Sequence, residues 1–172
     1  MTEKESLLNR AAPHVWSLAG LGRLKGVPGW YASIAAVPIY FILLWLGWKP
    51  YLAVWLALFF LSWYLSVLAE RLYGHHNDPR VVIDDFLGYL TTMFLAPKFI
   101  YLPLAFLWGL AYYRLIIFFK PAFIGRLSKN EGGLYVVLDD IAAGLAATFL
   151  MWLTAAVVFV IKNPFGPEIF SQ

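Results

Sequence analysis

Apolar and polar positions alternate in long blocks along this chain. Trp30–Trp48 and Tyr51–Ala69 are two apolar runs separated by Lys49-Pro50. Each is long enough, at about 1.5 Å per helical residue, to cross most of a ~30 Å hydrocarbon core. A polar stretch over 70–85 follows, then Phe86–Ala96, an apolar run too short for an upright span. Its shortness predicts a broken or re-entrant helix shielded by protein, because unpaired backbone is not tolerated against lipid. Pro97-Lys98 separates it from the run Phe99–Phe119. A second polar loop covers 120–137, and the last run, Ile141–Ile161, stops at Asn163-Pro164. The glycine-rich stretch Leu18–Trp30 reads as a loop, and residues 1–28 as a segment lying at the membrane interface. The pattern predicts an all-α, polytopic helical bundle in one domain, 1–172. It has about four spanning helices, one short broken helix, and functional loops at 70–85 and 120–140.

Composition supports that class. The chain is 62% hydrophobic and 13% charged, with a mean hydropathy of +0.71, whereas soluble domains carry about 25% charged residues. The polar start Met1-Thr2-Glu3-Lys4-Glu5 gives no expectation of a secretory signal. With no cysteine, there is neither a thiolate metal site nor a cysteine nucleophile. Nothing in the charge distribution suggests nucleic acid.

Charge orients the bundle. With the amino terminus inside and every apolar run crossing, Lys4, Arg10, Arg23, Lys25, Arg71, Arg80, Arg114, Lys120, Arg126 and Lys129 fall on one face, whereas a re-entrant Phe86–Ala96 would flip the topology after it. Only Lys49, Lys98 and Lys162 fall on the other. The positive-inside rule makes the richer face cytoplasmic, and both polar loops belong to it.

Two acidic pairs, Asp84-Asp85 and Asp139-Asp140, stand on that same face, and they hold four of the 10 acidic residues. An ionised carboxylate near lipid is costly unless a cation or water accompanies it. Capping accounts for one such residue at a helix start; two pairs on one face point to a site. Mg²⁺ suits it, since that ion takes carboxylate, water and phosphate oxygens. Asp78 adds a carboxylate nearby. Arg114, inside an apolar run, needs a partner and suits an anion, as does Lys120. Gly132-Gly133 offers backbone N–H groups to a phosphate. Arg126 and Lys129 read as lipid anchors. His14, His75 and His76 lack metal-ligand spacing and read as interfacial.

Four stretches carry a family likeness: Pro28-Gly29-Trp30-Tyr31-Ala32-Ser33; Val81-Val82-Ile83-Asp84-Asp85-Phe86-Leu87-Gly88; Tyr113-Arg114 through Lys120-Pro121; and Gly132-Gly133 through Asp139-Asp140-Ile141-Ala142-Ala143-Gly144. In this order they resemble bacterial phosphatidylglycerophosphatase A. The family shows Pro-Gly-Thr-x-Gly-Ser, Ile-Val-x-Asp-Glu-x-x-Gly, Phe-Arg-x-x-Asp-x-x-Lys-Pro and Gly-Gly-x-Gly-x-x-x-Asp-Asp-x-x-Ala-Gly. Here Ile117 replaces the aspartate after the arginine, Trp30 a threonine, Ala32 a glycine, Asp85 a glutamate and Tyr135 a glycine.

The resemblance implies Mg²⁺-dependent hydrolysis of the phospholipid phosphatidylglycerophosphate to phosphatidylglycerol and phosphate, at the cytoplasmic face of a bacterial inner membrane. It implies Asp84, Asp85, Asp139 and Asp140 as metal-binding and catalytic, with Asp78 as base or supporting group. Arg114, Lys120, Gly132 and Gly133 would then hold substrate phosphate. Attack by water and an aspartyl-phosphate route both remain open, and a homo-oligomer is compatible with the pattern. Two other readings stand beside it: an inactive membrane scaffold derived from the phosphatase, suggested by Ile117, and a small transporter with Arg114 and Asp139-Asp140 lining a path. The Asp-Gly…Ala-Arg series of CDP-alcohol transferases and the Arg-Pro motif of vanadium-peroxidase-like phosphatases are both missing.

Overall fold

The computed structural model describes residues 11–76, 78–97, 102–127 and 129–162. The expectations for Lys4, Arg10, Lys98, Asn163-Pro164 and the Lys162 side chain fall outside the described residues. The described elements are helical: α1 (Pro28–Leu46), α2 (Trp48–Tyr73), α3 (Ile83–Phe94), α4 (Leu102–Phe119), α5 (Ala122–Leu127) and α6 (Gly133–Lys162). A short helical segment at 11–16 and a 3₁₀ turn at Leu21–Arg23 precede them.

The helix boundaries follow local chemistry. Pro28 opens α1, where its missing N–H costs nothing. The expected break at Lys49-Pro50 falls instead at Gly47, whose φ of 96° and ψ of 176° suit only glycine well. Pro50 then sits in the first turn of α2, where backbone N–H groups have no intrahelical partner anyway.

Three helices, α1, α2 and α6, are long and apolar enough to cross a membrane. The fourth expected span corresponds to α4, with 18 residues and a shorter apolar part at Ala105–Phe119. Outward-facing side chains such as Trp45, Phe118, Phe149 and Ile161 are large, apolar and exposed. That surface belongs in lipid.

The short run forms α3, and its 12 residues span about 18 Å, well short of the hydrocarbon core. It is the centre of the bundle, packed by α1, α2, α4 and α6. Ten of its residues are buried, so protein replaces lipid around it. Carbonyls toward and just past its C-terminal end receive side-chain donors. Tyr51 Oη donates to Leu90 O at 2.8 Å, Thr148 Oγ1 to Thr92 O at 3.0 Å and Trp152 Nε1 to Leu95 O at 2.9 Å. A helix can stop at membrane depth only where such partners exist. Helices α3 and α6 meet through Gly88 and Gly144: a Cβ on Gly144 would lie 2.5 Å from Gly88 O.

The described part of the N-terminal segment, expected at the membrane interface, packs through one face on the end of α2 and the start of α3. Trp16 is fully buried with Ala12, Leu65, Ala69, Val81 and Ile83, and its carbonyl accepts from Val82 N at 3.0 Å. The tryptophan supplies too much apolar area to leave exposed when α2 offers a matching surface.

The start of α1, the end of α2, the start of α3, the end of α4 and the start of α6 share one face. Gly133 lies on Ser66 and Val67, and side chains from α1, α3, α4 and α6 meet there. Among the described residues, Arg23, Lys25, Arg71, Arg80, Arg114, Lys120, Arg126 and Lys129 belong to this face and Lys49 to the other.

Candidate active site

The polar face opens into a cavity of about 220 Å³ lined by Asp84, Asp85, Arg114, Ile117, Lys120, Asp139 and Asp140, with Pro28, Gly29 and Val81 at its wall. Asp84 and Asp85 occupy the first turn of α3, where the helix dipole favours negative charge. The N-cap is Val82, which makes no side-chain cap; Asp84 Oδ1 accepts from Asp85 N at 3.0 Å. Asp139 and Asp140 lie in the second turn of α6, beyond the reach of capping. The doublets therefore stand on helices, not in the loops expected at 70–85 and 120–140. Rigid elements hold them.

Arg114 is the hub. Its Nη1 donates to Asp85 Oδ1 at 2.8 Å, and Nη2 donates to Gly29 O and Ser33 Oγ on α1. A Cβ at position 29 would meet the Asp85 carboxylate, with Cγ at 2.7 Å, so any larger residue there would displace that side chain from its place. Nε of Arg114 is buried without a hydrogen-bond partner among the described residues. Lys120 Nζ reaches Asp139 Oδ2 at 2.7 Å, and Tyr113 Oη donates to Asp140 Oδ1 at 3.0 Å.

Four buried or half-buried carboxyl groups face two cations, so full ionisation would leave two negative charges in excess. Burial pushes the Asp84 carboxyl up to about 8, and the charge of Asp85 adds to the effect. Burial also raises Asp85, against the pull of Arg114. Such displacement is common where chemistry is done.

Two expected groups are placed elsewhere. Asp78 is absent from the cavity wall: Oδ1 accepts from Arg80 N and Nε at 2.9 and 2.8 Å, and Oδ2 accepts from Nη2 at 2.6 Å. Arg80 lies over Tyr73 at 3.7 Å, and its hydrogen bonds hold the Asp78 carboxyl below the usual range. Asp78 is engaged in shaping the loop before α3. Gly132 and Gly133 also lie off the cavity wall; Gly133 lets α6 approach the α2 backbone, with Ser66 C at 2.7 Å from a would-be Cβ. Sequence reasoning gave no role to Tyr113, Ser33 or Gly29. Their signals were a tyrosine beside a membrane arginine and a glycine and serine four apart on one helix face.

A family model described as Phosphatidylglycerophosphatase A matches residues 14–155. The chain belongs to the phosphatidylglycerophosphatase A family. Phosphatidylglycerophosphatase A of Escherichia coli (strain K12) is 28% identical over 142 residues, covering 80% of this chain and 81% of the relative. Its counterpart in Haemophilus influenzae is 30% identical over 156 residues, covering 87% and 91%. No solved structure matches the chain significantly. Of the departures from the phosphatidylglycerophosphatase A pattern, Ile117 and Asp85 line the cavity, and the Trp30 ring lies 5.7 Å from Arg114 Cζ.

Lys120 carries a local cost. It caps α4 with φ +39°, a left-handed conformation that costs a non-glycine residue about 1–2 kcal/mol. Lys120→Gly should therefore be more stable than Lys120→Ala by about 1 kcal/mol. Thermal unfolding of the purified variants measures this, and equal stabilities would remove the strain argument.

Proposed function

We propose that this protein hydrolyses the phosphomonoester of phosphatidylglycerophosphate, giving phosphatidylglycerol and inorganic phosphate, with Mg²⁺ as cofactor. The observation that carries the reading is the cavity itself. Four carboxylates and two cations from α3, α4 and α6 meet at the polar end of helices that belong in lipid. A lipid with its acyl chains among those helices would present a terminal phosphate at that depth. The curated relatives bear the name of this activity.

The donor set fits Mg²⁺. Among the described residues no group of three or more His, Asp or Glu side chains is placed to hold a metal ion, but Mg²⁺ takes only one or two carboxylates with water and substrate phosphate. The carboxyl groups in excess of the two cations, and Asp139 Oδ1, which has no hydrogen-bond partner among the described residues, favour a divalent cation. Asp84, Asp85, Asp139 and Asp140 are the groups that would hold it. Bound there, Mg²⁺ would neutralise phosphate charge and acidify a water.

The chain's own residues supply the rest. Arg114, fixed by Asp85, Gly29 and Ser33, directs guanidinium charge at the transferring phosphoryl oxygens, and Lys120 adds a second cation. Water attacks phosphorus, the bond to the glycerol oxygen breaks, and that oxygen takes a proton. The basic asymmetry of the helix ends, eight to one among the described residues, supports a cytoplasmic placement of the site in a bacterial membrane. Ile117 favours one second reading, an inactive scaffold. Phosphate release from phosphatidylglycerophosphate by purified protein, with Mg²⁺ or with EDTA, separates the two: no Mg²⁺-dependent release would favour the scaffold.

The charge excess also predicts a pH effect. An aspartate whose folded pKa is about 8, against about 3.9 unfolded, stabilises the metal-free protein fully below pH ~4. That contribution is lost as pH rises through the folded value. Mg²⁺ binds the ionised carboxylates, so the rise in Tm on adding it should be larger at pH 8.5 than at pH ~6. An equal rise at both would contradict this.

A further inference from the structure

The carboxylates of the cavity are held by two kinds of partner. Arg114 and Lys120 are cations, and each offsets the charge of the carboxylate it binds, Asp85 and Asp139. Asp140 meets a neutral group instead: Tyr113 Oη donates to its Oδ1 at 3.0 Å. A phenol donates a hydrogen bond without bringing a charge. It fixes the place of one oxygen and leaves the negative charge of the carboxylate available in the cavity that Asp140 lines.

The contact is built from three helices. Tyr113 on α4 is fully buried, with its ring 6.4 Å from that of Tyr89 on α3 and 5.1 Å from Arg114 Cζ. Its hydroxyl enters the seam between α3 and α6 because position 88 is glycine. A Cβ there would lie 2.8 Å from both Tyr113 Cζ and Asp140 O. Gly88 stands one turn beyond Asp84 on the same face of α3, so this seam adjoins both doublets. The family pattern has phenylalanine before the arginine where this chain has Tyr113; the contact is this chain's own.

We propose that Tyr113 is a positioning residue for Asp140. Its hydroxyl pins Oδ1 and leaves Oδ2, with the carboxylate charge, to a divalent cation in the cavity. The inference rests on Asp140 belonging to the hydrolytic site proposed above. A hydrogen bond that only joined α4 to α6 would affect stability alone.

The test uses the full-length protein in detergent and the variant Tyr113→Phe, which removes the hydroxyl and keeps the ring with its packing. One readout is the Mg²⁺ concentration that gives half of the full rise in Tm, measured without substrate. The other is phosphate release against substrate concentration at limiting Mg²⁺. In Tyr113→Phe the Mg²⁺ midpoint should rise about tenfold or more, the usual effect of removing a group that orients a metal ligand. At limiting Mg²⁺, kcat should fall by about the same factor with KM little changed. A bond with a structural role only would lower the metal-free Tm and move neither readout. Tyr113→Phe/Asp140→Asn should match Asp140→Asn in both, because the hydroxyl acts only through that carboxylate. The parent's value in either readout for Tyr113→Phe, or a further tenfold loss in the double variant, would overturn the proposal. Asp140→Asn tells the two readings apart. If it loses turnover while Tyr113→Phe keeps the parent's values, only the role of Tyr113 fails. If Asp140→Asn turns over normally, the hydrolytic site is misassigned and the proposal falls with it.

Discussion

Asp140→Asn should reduce phosphate release by about a thousandfold while the protein still inserts and keeps its helices. The substitution conserves shape, and its Oδ1 can still accept the hydrogen bond that Tyr113 Oη now gives at 3.0 Å. Packing of α6 against α3 is therefore preserved. What changes is charge: the carboxylate excess over Arg114 and Lys120 falls from two to one. The metal-free variant should be at least as stable as the parent, because a buried like-charge repulsion has been removed. Its rise in Tm on adding Mg²⁺ should shrink. Loss of turnover with intact folding and a blunted Mg²⁺ response is the expected combination. Wild-type turnover would end the assignment of the doublets.

Removing Arg114 should produce the largest loss of stability. The side chain is buried and serves Asp85, Gly29 O and Ser33 Oγ together. Arg114→Leu leaves the Asp85 carboxylate without its cation, and breaking a buried pair from one side costs about 3–5 kcal/mol. Arg114→Lys keeps the charge but not the planar fork that reaches two helices at once, so it should be intermediate in stability and poor in turnover. The double variant Arg114→Leu/Asp85→Leu should recover most of the stability, since apolar replacement of a buried pair is often neutral or better. It should recover no activity. Unfolding in detergent and phosphate release, measured on the same preparations, test both halves. Stability in the double variant no better than in Arg114→Leu would show that the pair is not the source of the loss.

The outline of the fold was legible because lipid imposes a simple rule: backbone polar groups must be paired within a helix. Apolar runs of spanning length therefore marked the helices, and their polar junctions marked one face. Boundaries were less legible. Gly47, not Lys49-Pro50, divides α1 from α2, because proline is harmless in a first turn and Gly47 adopts a backbone that other residues resist. The docking of Trp16 depended on a partner surface distant in sequence.

The candidate site divides in the same way. Charge scarcity in an apolar chain was enough to single out Asp84, Asp85, Asp139, Asp140, Arg114 and Lys120, and these line one cavity. Asp78 and Gly132-Gly133 drew attention by type and spacing, yet local bonds to Arg80 and the close approach of α6 to α2 account for them. Spacing along a chain cannot tell which carboxylate already has a partner.

By itself, then, the sequence determined the class, the polar face and the family pattern, because periodicity, charge and motif are local or cumulative properties. The length of its apolar run already marked α3 as a short, shielded helix; only the tertiary structure decided which helices bury it and that Arg114 ties α1 to Asp85. It also decided that Tyr113 and Lys120 each hold one member of the second doublet. Those pairings join residues up to 85 positions apart, and they are chosen by close packing around α3, a balance over all the helices that no single segment encodes.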